Sequence, residues 1–377
     1  MSAVRALIVM PLATPRGGTE YQLQQLVEHR AEARIEPTVA FLSSGPMVAW
    51  CRGQGVRAVE LDAGRLRQPR NLARTIRALV TLAKRERCDV VIGWMVKGQV
   101  YAGLVALGAR IPCVWLQTGV PSQRDPFDRL ATLLPARLVV TVSRNVDGHQ
   151  RRLRPRRATE IVYPAVDTAR FDAVRIGDRH RLRARLGLPE SGPVIGSVGR
   201  LERWKGFHIL LDAVPHVLAR HPDATFVLVG GPHEFDPAYA RELHAKAERM
   251  RLNGQVRLVG EQANPEEWMH AMDVFVHLSD NEPFGMVVIE AMALGKPVVA
   301  GAEGGPTEVI TPGVDGLLAP FGDHAALAGE ILRFLDDGEL RARVGHAAKR
   351  RADDFAVERF ARGFGAAVER AATPRSS

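Results

Sequence analysis

The stretch 273–301, DVFVHLSDNEPFGMVVIEAMALGKPVVAG, reads as strand, loop, helix, strand. Residues 273–279 and 296–301 are short apolar runs rich in β-branched side chains, the signature of buried strands. Residues 285–294 between them have the length and composition of a helix. Gly295 ends it and Pro297 prevents its continuation. Two buried strands joined through a helix imply a right-handed crossover and hence a parallel sheet. Two carboxylates interrupt the pattern, Glu282 in the loop and Glu290 inside the apolar helix. An ionised carboxylate in such a place is costly unless something hydrogen-bonds it.

The same grammar extends in both directions. Downstream of a basic, proline-containing stretch, strands are predicted at 193–201, 225–231, 256–260, 273–279 and 296–301. Helices fit 205–220, 237–251, 264–271, 285–294, 324–337 and 339–354. Upstream, strands are predicted at 5–12, 36–43, 56–61, 88–95, 111–117 and 137–143, with helix patterns at 17–33, 68–87 and 124–134. The fold class is therefore α/β: two Rossmann-like domains with parallel sheets facing a cleft. They span 1–170 and 171–354, joined near 165–190. A last amphipathic helix begins at 355, and the segment 355–377 is expected to pack back on the first domain, with 371–377 frayed. Ligands of open α/β sheets bind beyond the carboxyl ends of the strands. That rule selects the loops 13–19, 117–122, 199–205, 230–234, 260–264, 280–286 and 302–308.

Composition fits two domains. The chain has 377 residues, 46% hydrophobic and 25% charged, too long for one ordinary core. No run reaches the roughly 18 apolar residues of a membrane span. The segment VRALIVMPLA carries Arg5 and runs into Pro11 and Pro15, which suits a buried strand better than a secretory signal. Cys51, Cys88 and Cys113 share no metal spacing, and their odd number argues against a disulfide framework. A reducing cytoplasm is the expected compartment.

Charge is uneven. Residues 1–190 hold 31 basic and 16 acidic side chains, a net of +15, and the remainder is net −6. The first half should attract anions, although a solubilising arginine surface explains the excess equally well. Residues 65–87 place Arg67, Arg70, Arg74, Arg77 and Lys84 on one helical face and Leu72, Ile76, Leu79 and Ala83 on another. RNVDGHQRRLRPRR (144–157) is a second basic cluster. Docking on an anionic membrane and a merely solvated arginine face are both open. The charge is diffuse and no base-reading motif occurs, so nucleic acid is not an expected partner.

Four loops are suited to phosphate or hydroxyl groups. At the start of helix 285–294, near Phe284, the N–H groups of Gly285, Met286 and Val287 lack internal partners, and the helix end carries partial positive charge. Gly285 removes a side chain where a ligand must approach. Glu290 could accept two hydrogen bonds from a vicinal diol such as a ribose; pairing with a neighbouring base is the alternative. GRLERWKG (199–206) offers Arg200 and Lys205 between glycines, which suits a diphosphate. Surface ion pairing explains that segment as well, and it is not a P-loop. EGGPTEVI (303–310) brings Gly304, Gly305 and the capping candidate Glu308. PRGGTE (15–20) is a second glycine pair at a helix start.

In order and spacing, GRLERWKGFHILLDA, LVGG, VRLVGE, the stretch 273–310 and GVDGLLAP resemble the donor domain of the retaining family-4 glycosyltransferases of GT-B fold. The resemblance covers about 193–322. VYPAVDTARF (162–171) resembles the interdomain segment, and the first domain matches mainly through GGTE and VVTVS. The resemblance implies an acceptor-side first domain and a nucleotide-sugar-binding second domain. It places Glu282 and Glu290 on the family's E-x7-E pair, Glu282 near the donor sugar and Glu290 on ribose hydroxyls. Arg200 and Lys205 would hold the donor diphosphate. Phe284, Gly285, Met286 and Val287 would lie along the donor, with N–H groups of the last three on sugar and phosphate, and Gly18 would approach the diphosphate from the first domain. Glu282, Arg200 and Lys205 are the implied catalytic groups. No metal or other cofactor is expected, in keeping with the absence of an Asp-x-Asp pair.

One departure bears on the acceptor. Many relatives have a histidine where this chain reads Gln117, Thr118 and Gly119. Glutamine and threonine hydrogen-bond a sugar hydroxyl but do not titrate near neutrality as histidine does. His277, inside a strand pattern, is expected to be a packed histidine. The expected activity is retaining transfer from a UDP- or GDP-sugar to a glycan or lipid-linked acceptor. The enzyme would be cytoplasmic and peripheral on the inner face of the membrane. A catalytically weak glycan-binding protein and a sugar-nucleotide epimerase of the same fold are the rival readings.

Overall fold

The computed structural model describes residues 3–15, 17–233, 236–252 and 254–373. The chain forms two compact units. One comprises Met1–Ala165 with Val357–Ser377, the other Val166–Ala356.

The first unit is built on seven strands: β1 (Val4–Met10), β2 (Ile35–Phe41), β3 (Arg57–Glu60), β4 (Val90–Trp94), β5 (Cys113–Gln117), β6 (Leu138–Thr141) and β7 (Thr159–Ile161). They pair in parallel in the order β3-β2-β1-β4-β5-β6-β7. The apolar runs become strands because they are buried on both faces, as parallel sheets require. Ala6 to Met10 and Val90 to Ile92, for example, are fully buried. The helix predicted over 17–33 splits at His29 into Gly18–Glu28 and Arg30–Ala33. The terminal helix Val357–Ala372 belongs to this unit, where Phe364 meets Trp94 edge-on at 5.8 Å. Of the tail expected to fray, 374–377 lie outside the described residues.

The second unit holds β8 (Val194–Val198), β9 (Thr225–Val229), β10 (Val256–Gly260), β11 (Val274–His277), β12 (Val298–Gly301) and β13 (Leu317–Ala319). All pair in parallel, in the order β10-β9-β8-β11-β12-β13. Its core joins Phe207, Leu210 and Val214 of one helix to Phe226, Val274, Ile331 and Phe334. Burying each such side chain contributes about 1.5–3 kcal/mol. Strand order reverses between β8 and β11, so the loops after these two strands lie at the switch point where α/β sheets bind ligands.

The unit boundary falls at 165/166, not at 170/171. The Val166 N–H bonds the Phe355 carbonyl at 2.9 Å and Arg170 pairs with Glu266 at 2.9 Å, which ties 166–170 to the second unit. Further along this segment the helix Arg179–Arg185 is clamped to the same unit. Arg179 and Arg183 both pair with Asp273, Arg183 at 2.6 Å, and Arg183 Nε donates to the Ala271 carbonyl at 2.9 Å. Burial works against the Asp273 charge, but the Arg179 guanidinium, the Val194 N–H and Arg183 outweigh it and hold the carboxyl below its ordinary value. Behind this brace Lys296 is buried and donates to the carbonyls of His270 and Met272 at 2.6 and 3.0 Å. Burial and the neighbouring Arg179 push its ammonium down to about 7.

Candidate functional site

After β8 the chain leaves the sheet edge at Gly199, and a single 3-10 turn, Arg203–Lys205, turns it back. Gly206 follows with φ +70°, and a Cβ there would fall on the Leu278 carbonyl oxygen. Only glycine therefore lets the β8 loop lie against the β11 loop. The Asp280 N–H closes that contact on the Trp204 carbonyl at 2.7 Å.

This backbone contact delivers Lys205 to Glu282. Lys205 Nζ lies 2.6 Å from Glu282 Oε2 and 3.9 Å above the centre of the Trp204 ring. The same carboxylate oxygen is 2.9 Å from His277 Nε2, which is also 2.9 Å from Ser279 Oγ. Burial alone would raise the Glu282 carboxyl; the Lys205 charge and the hydrogen bonds from His277 and Lys205 outweigh it and keep it well below the usual carboxylate range. An ionised Glu282 fixes the imidazole: Nε2 must carry the proton it donates. Burial pulls His277 down from its ordinary value, against the Glu282 hydrogen bond.

Glu282 lies in the loop after β11, as the sequence indicates, and is buried and paired there; a carboxylate out of water requires such a countercharge. His277 is packed, as its strand pattern indicates, and it also bonds Glu282. Sequence reasoning gave His277 and Trp204 no role at the site. The available signal for His277 was a polar side chain inside the apolar run VFVHLS, five residues before a carboxylate. The Phe284 ring is buried edge-on against Phe355 at 5.5 Å.

The β11 loop ends at Gly285, whose φ of +98° turns the chain into the helix Met286–Ala293. Among the described residues the N–H groups of Gly285, Met286 and Val287 find no backbone acceptor. The neighbouring β12 loop supports the turn from beneath, with the Gly305 N–H on the Glu282 carbonyl at 2.7 Å. Arg200 is half exposed, near His233 Nε2 at 3.1 Å and Glu202 at 3.3 Å. Glu290 lies one turn into the helix, half-buried, and its carboxylate accepts no hydrogen bond among the described residues. Burial raises it to about 7; Arg170 opposes the rise and Glu266 adds to it.

The remaining predicted residues belong to the first unit. Gly18 begins the helix Gly18–Glu28 after β1, and Arg16 beside it lies outside the described residues. Gln117 ends β5 fully buried. Its Oε1 accepts the Gly119 N–H at a long 3.4 Å, and its Nε2 has no hydrogen-bond partner among the described residues. Thr118 and Gly119 are half-buried.

Lys205, Arg200 and the N–H groups of Gly285, Met286 and Val287 all follow strands at the carboxyl end of one sheet, an arrangement that suits an anion. A half-buried carboxylate beside it can take hydroxyl groups. With two parallel-sheet Rossmann-like units, the protein has the GT-B architecture.

Comparison with known proteins gives the family. The model for glycosyl transferases group 1 matches residues 178–351, and that for glycosyltransferase family 4 matches residues 16–170. The chain belongs to this glycosyltransferase family. The solved structure of Alr3699/HepE from Anabaena, in complex with UDP and glucose, is 26% identical with a TM-score of 0.85, over 97% of this chain and 100% of that one. The D-inositol 3-phosphate glycosyltransferase of Salinispora arenicola is 36% identical over 214 residues, 54% of this chain and 48% of that protein. The lipopolysaccharide core biosynthesis glycosyltransferase LpsE of Rhizobium meliloti is 37% identical over 162 residues, 43% of this chain and 45% of that protein. The chain spans about half the length of the curated relatives it matches.

Proposed function

We propose that this protein transfers a sugar, with retention of anomeric configuration, from a UDP- or GDP-sugar to a hydroxyl of a glycan or lipid-linked acceptor. The observation that carries the reading is the buried Lys205–Glu282 pair set against the open N-terminus of helix Met286–Ala293, at the switch point of the second sheet. HepE, with the same fold, holds UDP and glucose. UDP is therefore the first nucleotide to test.

Each group then has a task that its surroundings support. As the donor bond breaks, negative charge builds on the diphosphate. Lys205, Arg200 and the N–H groups of Gly285, Met286 and Val287 stabilise it there. Lys205 retains two ammonium protons beyond the one given to Glu282. Glu282 orients that ammonium and, near the donor sugar, accepts from a hydroxyl. Glu290, whose carboxylate accepts no hydrogen bond among the described residues, takes the ribose diol. Gly18 and the side chains of Gln117 and Thr118 belong to the acceptor-bearing unit, Gln117 with a free donor. Positive side chains supply the countercharge, so the reading needs no metal. The proton of the attacking hydroxyl passes to the departing phosphate, and no enzyme nucleophile forms.

The acceptor class rests on the relatives, one an inositol-phosphate and one a lipopolysaccharide-core enzyme. It also rests on the helix Pro69–Arg85, whose Arg70, Arg74, Arg77 and Lys84 are exposed. No helix among the described residues is long and apolar enough to cross a membrane. The reading places the enzyme in the cytoplasm, held peripherally at an anionic inner leaflet through these basic side chains.

The test is a thermal-shift panel of UDP-, GDP- and ADP-sugars followed by transfer assays. A nucleotide at a hundredfold excess over Kd stabilises the folded state by about 2.7 kcal/mol. Retention is read from the anomeric coupling of the product. Failure of every nucleotide to shift the midpoint overturns the reading.

A further inference from the structure

The short helix Pro126–Leu133 follows the Gln117–Gly119 loop after six residues. Asp128, Ala131 and Thr132 face inward and anchor it. Asp128 accepts the Ser122 N–H at 2.7 Å, which ties the helix to the segment that leads into it. Asp125 caps the helix by accepting the Phe127 N–H at 2.7 Å. The outer face is unusual for a soluble surface. Phe127 is 41% exposed, Leu130 43% and Leu133 71%, and Pro126 is exposed among them. A cluster of large apolar side chains turned to water marks a contact surface, unlike scattered single ones.

What covers this face is indicated by its rim. Between residues 122 and 157 there are nine arginines and three aspartates, a net charge of +6. The aspartates are all committed: Asp125 and Asp128 to N–H groups, Asp147 to Arg151 at 2.7 Å. The arginine-rich helix Arg144–Leu153 and the residues after it are fastened to the same corner. Gln123 Nε2 donates to the Arg152 carbonyl at 3.2 Å, and Arg154 and Arg157 donate to the carbonyls of Thr132 and Leu134 at 3.1 and 2.7 Å. Arg124, Arg129, Arg152 and Arg156 remain exposed. An apolar ridge within a ring of cations is complementary to a bilayer bearing anionic headgroups: the ridge enters the acyl boundary and the arginines meet the phosphates. Nucleic acid would satisfy the arginines and leave Phe127, Leu130 and Leu133 in water.

We propose that the helix Pro126–Leu133, with the arginine cluster of 144–157, is an insertion surface for an anionic lipid bilayer. The helix follows the Gln117–Gly119 loop by six residues, so docking brings that loop toward the headgroups. The docking stands on this patch alone; its use, presenting a lipid-linked acceptor, rests on the glycosyl-transfer reading.

The experiment is flotation of the full chain with phosphatidylcholine vesicles, with and without about one-third phosphatidylglycerol. Wild type binds the anionic vesicles at least about tenfold better than the neutral ones, and added salt weakens the binding. Combined Phe127→Ser, Leu130→Ser and Leu133→Ser substitutions lower it about tenfold. The thermal midpoint and turnover of donor with a water-soluble acceptor stay unchanged. Arg152→Gln with Arg156→Gln lowers binding and its salt dependence together. Arg70→Gln, Arg74→Gln and Arg77→Gln, on the other basic helix, weaken the salt-sensitive part of binding and keep the part that Phe127, Leu130 and Leu133 supply; loss of all binding in this variant overturns the assignment to this patch. The proposal is overturned by absence of binding to anionic vesicles. It is overturned equally by wild-type binding in the serine variant, or by a dimer of wild type that this variant dissolves. If wild type turns over no donor yet floats through this patch, the transfer reading fails and the docking surface stands.

Discussion

Lys205 and Glu282, 77 positions apart, meet at 2.6 Å with 13% and 9% of their side chains exposed. The pair joins the loops after the two strands that flank the sheet's switch point. A buried ion pair adds little net stability, but removing one partner strands the other. Lys205→Met is expected to cost about 3–5 kcal/mol, and Lys205→Met with Glu282→Leu to recover most of it. Thermal midpoints of both variants, followed by a probe in the second unit, check this. Equal losses in the single and double variants would show that the pair does not hold the loops together. Transfer activity should be lost in both.

Glu290 sets a pH dependence. Its carboxyl, raised by burial to about 7, is neutral in much of the free protein below that pH. If the ribose diol requires the ionised form, affinity for UDP-glucose rises with pH, by about 30-fold from about pH 5.5 to about pH 8.5. Titration calorimetry reads it, and Glu290→Gln should bind weakly and flatly throughout. Stability runs the other way. A carboxyl raised in the folded state favours folding below the ordinary carboxyl range, and that contribution is lost as pH rises through about 7. Glu290→Gln should therefore raise the thermal midpoint near pH 8 and leave it nearly unchanged near pH 5. The gain is bounded by about 3 kcal/mol and reduced by solvent at this half-buried site.

The contrast between these two glutamates shows what the sequence discloses and what it withholds. The sheets are legible because buried parallel strands are apolar throughout, and eleven runs stand out from their helices. Strands β7 and β13 do not, since each is a three-residue edge strand. The helix Met95–Ala109 has no amphipathic stripe to mark it, because Gly98 to Gly103 are all buried. At the site, the spacing of Glu282 and Glu290 singles both out. It is silent on their partners, because Lys205 arrives through a turn that Gly206 permits. Nor does it show that the Glu290 carboxylate accepts no hydrogen bond among the described residues. The split of the chain at 165/166 was hidden similarly, in the hydrogen bond from Val166 to Phe355.

Asp273 controls the brace on the segment between the units. Asp273→Asn leaves the buried Arg183 without its countercharge and is expected to cost about 3–5 kcal/mol. The wild-type carboxyl is depressed, so its contribution is present above the ordinary carboxylate range and disappears as pH falls through the depressed value. Acid should therefore lower the wild-type midpoint more steeply than that of Asp273→Asn. Parallel acid profiles of the two proteins would refute the assignment.

Gln117 separates structural from functional roles. Among the described residues its Nε2 is buried without a partner, and its Oε1 makes only a long bond to the Gly119 N–H. A buried polar group left unsatisfied costs about 1–3 kcal/mol. Gln117→Leu, close in volume, should therefore leave the protein as stable or about 1 kcal/mol more so. If Nε2 is free in order to donate to an acceptor hydroxyl, the same substitution should raise the acceptor KM about tenfold and leave the donor KM alone. A fall in thermal midpoint with both KM values unchanged would make Gln117 a packing residue, and the acceptor would have to be sought elsewhere on the first unit.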